Sequence, residues 1–453
     1  MQRRRKVFNL VISWIVLALI GWFVYTLMGG LLAIIYLGVP FYDWQWYLSV
    51  SALILGASLY AIWHLPRGRS AAVNKSSTAI CRKNRMVIFV GVGLLTWAVV
   101  GYNGFGQVIH LNVEHAAPIT ISFWAFSDFR QMPDNILDDL HAAGGVIYLS
   151  VGNSFEGEDG QALAASMRRL ADYGVEAYWA PPASDFLSVP VVDEWGANAR
   201  KAAAFIQRED LTNVRGLIGD AEPPMHMPPD PLGLNRADFD VAVNDMRQLI
   251  DNLHRAYPNL QVGATAMWSH YVDALDGDAD LSIAMRSPVN PPGGWDFVNL
   301  MTYSSYSPPD WRAYEVYLLE CGMARLYPLG RVSHLIGLVG GGMPGEPLMS
   351  FEDLVRDARL SRALGVHEVA VFQLDGALRQ WGNGFVRQLI DAVNQSRPDE
   401  TIDVPFSRPA SLSVYGIAAA DAFLDLFGPR GWLWIGWLIL SSGISLRWSR
   451  ESG

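Results

Sequence analysis

Asp220 and Glu222, in Gly219-Asp220-Ala221-Glu222-Pro223, are the two side chains best spaced for chemistry. In an extended strand, residues two apart point the same way, so a strand running into this segment would project both carboxyls into the space beyond its end. Carboxyls held close together disfavour each other's ionised forms, and one of them keeps its proton to higher pH. A protonated Glu beside an ionised Asp is what a general acid needs at neutral pH. Trp124, Trp179, Trp268, Trp295, Tyr303 and Tyr306 recur at comparable places along the chain and offer flat faces on which sugar rings stack. Acid pair and aromatic faces together point to cleavage of a glycosidic bond. The competing reading is that Asp220 and Glu222 cap the next helix or solvate a loop, because Pro223-Pro224 marks a turn there. Their position and aromatic company favour the catalytic reading.

The elements that would hold these residues repeat. Between about 118 and 396, eight short apolar, β-branched or aromatic runs stand out: 119–126, 146–151, 175–180, 214–218, 261–267, 297–303, 335–339 and 369–374. Helical patterns lie between several of them, at 163–173, 198–207, 241–256, 351–364 and 385–394. Strand–helix alternation gives a parallel sheet, and eight repeats over this length predict an α/β fold of the (β/α)8 barrel type. An open doubly wound sheet is the alternative, but no Gly-x-Gly-x-x-Gly follows any run. Polar and aromatic residues gather just past the runs: Trp124, Ser127 and Asp128; Ser150, Gly152 and Asn153; Tyr178 and Trp179; Asp220 and Glu222; Trp268, Ser269, His270 and Tyr271; Tyr303 to Tyr306; Gln373 and Asp375. In a barrel these positions converge on one crevice. Trp124, Trp179, Trp268, Tyr306, Gln373 and Asp375 are therefore expected to bind substrate.

Several of these runs resemble glycoside hydrolase family 18, the chitinase-like barrels. Met301-Thr302-Tyr303 resembles the family's Met-x-Tyr-Asp strand, Leu149-Ser150-Val151-Gly152-Asn153 its Ser-x-Gly-Gly strand, Gly216 to Glu222 the second half of its Asp-x-x-Asp-x-Asp-x-Glu motif, and Phe372-Gln373-Leu374-Asp375 its eighth strand. The resemblance implies that Glu222 is the general acid. It also implies that Asp220 orients an N-acetyl group of the substrate, and that Tyr303 hydrogen-bonds that group or the intermediate, a substrate-assisted route. The departures lie at Arg215 and Ile218, where the family has Asp, at Ser304, where it has Asp, and at Phe372, where it has Trp. They thin the acidic chain behind the acid. Ala221-Glu222-Pro223 also resembles the Asn-Glu-Pro of clan A retaining glycosidases, which need a second Glu near the end of the seventh strand. Glu346 is the candidate, but its Gly/Pro loop reads as a surface turn.

The rest of the chain is of another kind. Of 453 residues, 51% are hydrophobic and 17% charged, against about 25% charged in ordinary soluble proteins. The excess sits at the two ends. Apolar stretches at about 7–28, 47–63 and 87–100 and a shorter one at 432–446 predict four membrane spans. The segment 412–427 carries Asp421 and Asp425 and reads as interfacial. Basic residues at 3–6, in the 67–85 loop and at Arg447 and Arg450 all fall on one side of that arrangement, which by the positive-inside rule is the cytoplasm. The expected organisation is a three-span membrane region at 1–105, an extracytoplasmic barrel at 106–400, and a linker, interfacial segment and last span at 401–453. In a bacterium this is an inner-membrane protein with a periplasmic barrel and cytoplasmic termini.

The expected partners are a polysaccharide or other glycan, membrane lipid and a membrane protein docking on the spans. A net charge of −10 gives no reason to expect nucleic acid. Cys81 and Cys321 lack zinc-site spacing, and no cofactor is expected. His270 and His334 read as hydrogen-bonded structural residues rather than as acids or bases. Two functions compete: a membrane-anchored glycoside hydrolase acting on a cell-envelope or extracellular glycan, and an inactive glycan-binding barrel in a polysaccharide or cell-wall assembly system. A transporter is disfavoured by the few spans and the lack of ionisable residues near their centres.

Overall fold

The computed structural model describes residues 108–410, except 114–115, 153–154, 225–226, 228–235, 269, 271–272, 274–278, 290–293, 327–331, 341–344, 396–399 and 408, together with isolated positions 413, 436 and 439. The side chains of Ser127, Asp128 and residues 321–326 fall outside that description. So do the four apolar segments at 7–28, 47–63, 87–100 and 432–446, apart from positions 436 and 439. Among the described residues, no helix is long and apolar enough to cross a membrane. Residues 108–417 make one compact unit.

Eight parallel strands close into a barrel: β2 (Thr120–Ala125), β3 (Val146–Ser150), β4 (Glu176–Ala180), β5 (Val214–Ala221), β6 (Gln261–Met267), β7 (Phe297–Met301), β8 (Val332–Gly337) and β9 (Glu368–Phe372), with β9 pairing back onto β2. Around them lie helices α1 (Asp134–Ala142), α2 (Gly157–Asp172), α3 (Val192–Arg208), α4 (Arg236–Ala256), α5 (Asp280–Met285), α6 (Pro309–Leu326), α7 (Phe351–Ala363), α8 (Leu374–Trp381) and α9 (Phe385–Asn394). Each expected apolar run supplies one barrel strand. The boundaries differ in ways that matter. β5 continues to Ala221, which places Asp220 inside the strand. β7 stops at Met301, which leaves Tyr303 beyond it. Leu374 and Asp375 open α8 instead of ending a strand.

Alternation along each strand sorts the side chains. Trp124, Tyr148, Ala180, Ile218, Met301, Leu335 and Ala370 pack together inside the barrel, with Tyr178, Phe297, Tyr303 and Phe372 against them. The parity that sends Ile218 inward also sends Asp220 and Glu222 toward the mouth. Below this layer the barrel holds a half-buried carboxyl, Glu368, which accepts hydrogen bonds from Ser122 Oγ at 2.6 Å and Tyr148 OH at 2.8 Å. Burial pushes the Glu368 pKa up. Gly263 on β6 makes room for Phe297 of β7, since a Cβ there would stand 2.2 Å from the Phe297 ring.

Residues 401–405, expected to be linker, form a strand instead. β1 (Val108–Asn112) and β10 (Thr401–Pro405) pair antiparallel, from Val108 opposite Pro405 to Asn112 opposite Thr401. The chain therefore enters and leaves the barrel side by side. Arg362 stitches this end together: its guanidinium donates to the carbonyls of Ala116 at 2.8 Å, Ala117 at 3.1 Å and Val393 at 2.8 Å. Leaving buried carbonyls unpaired costs about 1–3 kcal/mol each at most. Arg362→Met is accordingly expected to lower stability by about 3 kcal/mol, read as a lower urea midpoint at unchanged slope.

Candidate active site

The acid pair stands at the end of β5, and the strand end is pinned from two sides. The Asp220 carbonyl accepts a hydrogen bond from Leu187 N at 2.6 Å, in the loop after β4. The Ala221 carbonyl accepts one from Ser287 Oγ at 3.3 Å, just after α5. Asp220 and Glu222 are both only partly accessible. Crowding by protein pushes the Asp220 carboxyl up to about 7. Glu222 is pushed up to about 8, first by burial and then by the negative charges of Asp220 and Glu346. The two titrate as a pair, so a proton stays on the pair near neutral pH.

Tyr303 stands near enough to this pair to feel both charges. Its hydroxyl is held well above the ordinary phenol range, by burial and then by the charges of Glu222, Asp220, Tyr306 and Glu346. Its ring sits 5.9 Å from that of Phe372 and 6.5 Å from that of Tyr306. Asp220, Glu222 and Tyr303 thus come together at one mouth. Tyr306 stands at its rim, 56% exposed, and donates a hydrogen bond to Glu346 Oε1 at 2.5 Å. Glu346 is therefore not a plain surface turn residue: it is partly buried and faces the site. The Gly/Pro composition of the loop after β8 suggested a surface turn and did not reveal the contact with Tyr306. The available hint was the likeness of Ala221-Glu222-Pro223 to Asn-Glu-Pro, which made Glu346 a candidate.

A frame behind the mouth holds the 304–306 turn. Ser304 Oγ donates to Asp357 Oδ2 of α7 at 2.5 Å, Ser305 Oγ accepts from Leu338 N at 3.1 Å, and Arg312 donates to the carbonyls of Ser305 at 3.3 Å and Ser307 at 2.9 Å. Burial raises Asp357 to about 6. Ser304 thus rests on a buried carboxyl of α7.

The aromatic and polar expectations divide. Trp124 is inside the barrel, 2% exposed, with its ring stacked on Tyr148 at 5.6 Å, so it is floor and not an open platform. Trp179 is a correction. It is fully buried on the opposite face of β4, against Phe155 and Phe205, with its indole N–H on Met167 Sδ at 3.3 Å. Strand parity turns Tyr178 and Ala180 inward and Trp179 out into the helix layer. Trp179→Leu is expected to cost about 2–4 kcal/mol of stability, seen in chemical denaturation, while leaving the mouth unchanged. Trp295 is buried against Trp195. Trp268 follows β6, partly accessible. Gln373 and Asp375 are buried, and Asp375 Oδ2 accepts from Phe126 N at 2.8 Å, which fastens the end of β2 to α8.

His270 and His334 are tied into the scaffold. His270 meets Ser282 Oγ at 2.8 Å and is pushed down to about 4 by burial. His334 pairs with Glu320 at 2.7 Å behind β8. Asn153, Ser269 and Tyr271 lie outside the described residues. Among the described residues, no group of three or more His, Cys, Asp or Glu side chains is arranged to hold a metal ion.

No protein-family model matches the sequence, and no curated protein sequence matches it. Solved structures do resemble it. The glycoside hydrolase domain of PgaB (BpsB) from Bordetella bronchiseptica is 12% identical, with a TM-score of 0.42 over 62% of this chain and 100% of that one. A GH18 chitinase from Pseudoalteromonas aurantia is 11% identical, with a TM-score of 0.43 over 60% and 99%. A thiamine phosphate pyrophosphorylase from Pyrococcus furiosus is 13% identical, with a TM-score of 0.31 over 61% and 98%.

Proposed function

We propose that this protein is a glycoside hydrolase that cleaves a cell-envelope or extracellular glycan by acid catalysis from the Asp220/Glu222 pair. The observation that supports it most is the environment of Glu222, a carboxyl raised to about 8 by burial and by two neighbouring negative charges at an aromatic barrel mouth. Such a group carries its proton at neutral pH and hands it to a departing sugar oxygen. The negative charge that develops on Glu222 as it does so is unfavourable beside Asp220. Delivering the proton is therefore easiest if Asp220 is hydrogen-bonded or protonated at that moment, and Tyr303 is the phenol near enough to serve the reacting sugar.

We place the barrel outside the cytoplasm, tethered to a bacterial inner membrane. That placement rests on the apolar segments at 7–28, 47–63, 87–100 and 432–446 and on the basic residues between and after them. Membrane lipid, and a membrane protein on the spans, are the partners this arrangement would offer.

The test is a screen of the full-length protein against bacterial exopolysaccharides, peptidoglycan and chitin-type oligosaccharides, scored by reducing ends released, beside Glu222→Gln. Release by the wild type and not by the variant supports the reading. Equal release from both removes Glu222 as the acid. Binding without release from either would identify a glycan-binding barrel in an assembly system.

A further inference from the structure

We propose that Asp357, on α7, is a positioning residue of the reaction: through Ser304 it fixes the direction in which Tyr303 meets the sugar. The inference rests on the reading of this mouth as the place where a glycan is cleaved. Tyr303 lies between the end of β7 and the 304–306 turn, with φ −67° and ψ 88°. That backbone is neither strand nor helix, so regular hydrogen bonding does not set the direction of its side chain. The anchors on either side of it do. Thr302 N donates to the Leu335 carbonyl at 2.9 Å, and Thr302 Oγ1 donates to the same oxygen at 3.4 Å. Ser304 Oγ donates to Asp357 Oδ2 at 2.5 Å. β8 thus holds one flank of Tyr303 and α7 the other.

The α7 side is a closed ring of charged groups. Asp353 and Asp357 are four residues apart and share a face of α7. Arg356 donates to Asp357 Oδ1 from Nε at 2.9 Å and from Nη2 at 2.6 Å, and to Asp353 Oδ1 from Nη1. Arg312 of α6 donates to Asp353 Oδ2 at 2.6 Å and to the carbonyls of Ser305 and Ser307. The ring leaves the turn at Ser304 and returns to it at Ser305 and Ser307. Asp357 is 0% exposed and Ser304 3%. A neutral acceptor would hold a serine hydroxyl with a smaller desolvation penalty, since an ionised carboxyl loses its hydration on burial. What the charge gives instead is a shorter, stronger hydrogen bond, which matters where a neighbouring side chain must keep one direction.

Misplacing a group by about 1 Å at a reacting centre costs on the order of 10²-fold in rate. A general loss of packing around α7 would slow the enzyme whether or not Tyr303 keeps its hydroxyl. A residue that acts through Ser304 on Tyr303 has no effect left to make once that hydroxyl is gone.

The experiment uses the full chain, the glycan cleaved in the screen above, and the 2,4-dinitrophenyl glycoside of its terminal sugar, whose departure needs no proton from Glu222. kcat and KM are measured for Asp357→Asn, Ser304→Ala, Tyr303→Phe and the three pairwise doubles, in protein of native circular dichroism. The expected result on both substrates is a kcat lower by about 10–100-fold in each single variant, with KM changed by less than about threefold, and no further loss in any double. Losses that multiply in the doubles, or an unchanged kcat in Asp357→Asn or Ser304→Ala, overturn the role of Asp357. If Asp357→Asn does not fold, Ser304→Ala, which removes one hydroxyl, carries the same comparison with Tyr303→Phe. Those results leave Glu222 standing as the acid. Absence of release from every glycan by the wild type would instead remove the premise, and the proposal with it.

Discussion

Glu222→Gln is expected to slow cleavage of an unactivated glycan by about 10²–10⁴-fold, the usual contribution of a positioned general acid. Gln keeps the shape and most of the packing but has no proton to give. The loss should therefore depend on the leaving group. A dinitrophenolate departs without a proton, so the variant and the wild type should turn over the dinitrophenyl glycoside at similar rates. The wild-type rate on the natural glycan should fall as pH rises through about 8, where Glu222 ionises, and this limb should be missing from the variant. Rates measured for both substrates between pH 5 and 10 decide it. A loss of equal size on both substrates would mean that Glu222 does something other than protonate the leaving oxygen.

The same substitution is expected to stabilise the fold at alkaline pH. Asp220 and Glu222 have native pKa values raised above those of the unfolded chain. The native state therefore binds more protons than the unfolded state between the two sets of values, and stability falls as pH rises through that window. The penalty is absent at low pH, where both states are protonated, and complete above the native values. A tenfold change in acidity is worth about 1.4 kcal/mol, so Glu222 alone opposes folding by on the order of 4 kcal/mol once ionised. Part of that is shared with Asp220, because the pair titrates together. Denaturation midpoints of wild type, Asp220→Asn and Glu222→Gln should nearly coincide at pH 4, separate progressively as pH rises from there, and differ most above about pH 8, with the variants more stable. Parallel curves at every pH would show that neither carboxyl is held at a cost. A site that opposes its own fold is a common signature of function.

Much of the barrel was legible in the chain because its signals are local. A strand between two sheet neighbours, covered by helices, must be apolar along its length, and each of the eight runs from 119–126 to 369–374 became a strand. The helices read from periodicity, such as 241–256 and 385–394, show one apolar face. α6 was not read because Tyr314, Val316, Leu318 and Leu319 are all buried, so its apolar residues follow no single stripe. β1 and β10 were not read because five-residue strands with alternating exposure carry little apolar signal, and their partners are far apart in sequence.

For the site, the spacing Asp220-Ala221-Glu222 by itself determined that two carboxyls share one side of a strand end, because pleating has a period of two. The residue types determined that aromatic side chains would surround a barrel mouth. Only the tertiary structure decided which side chains reach it. It turned Trp179 away into the helix layer by a one-residue difference in parity, and put Trp124 on the floor. It brought Glu346 onto the Tyr306 hydroxyl and near enough to Glu222 for its charge to be felt there. The physical reason is distance along the chain: alternation is written in neighbouring residues, whereas the charge that Glu346 adds to the acid pair exists only once the barrel has closed.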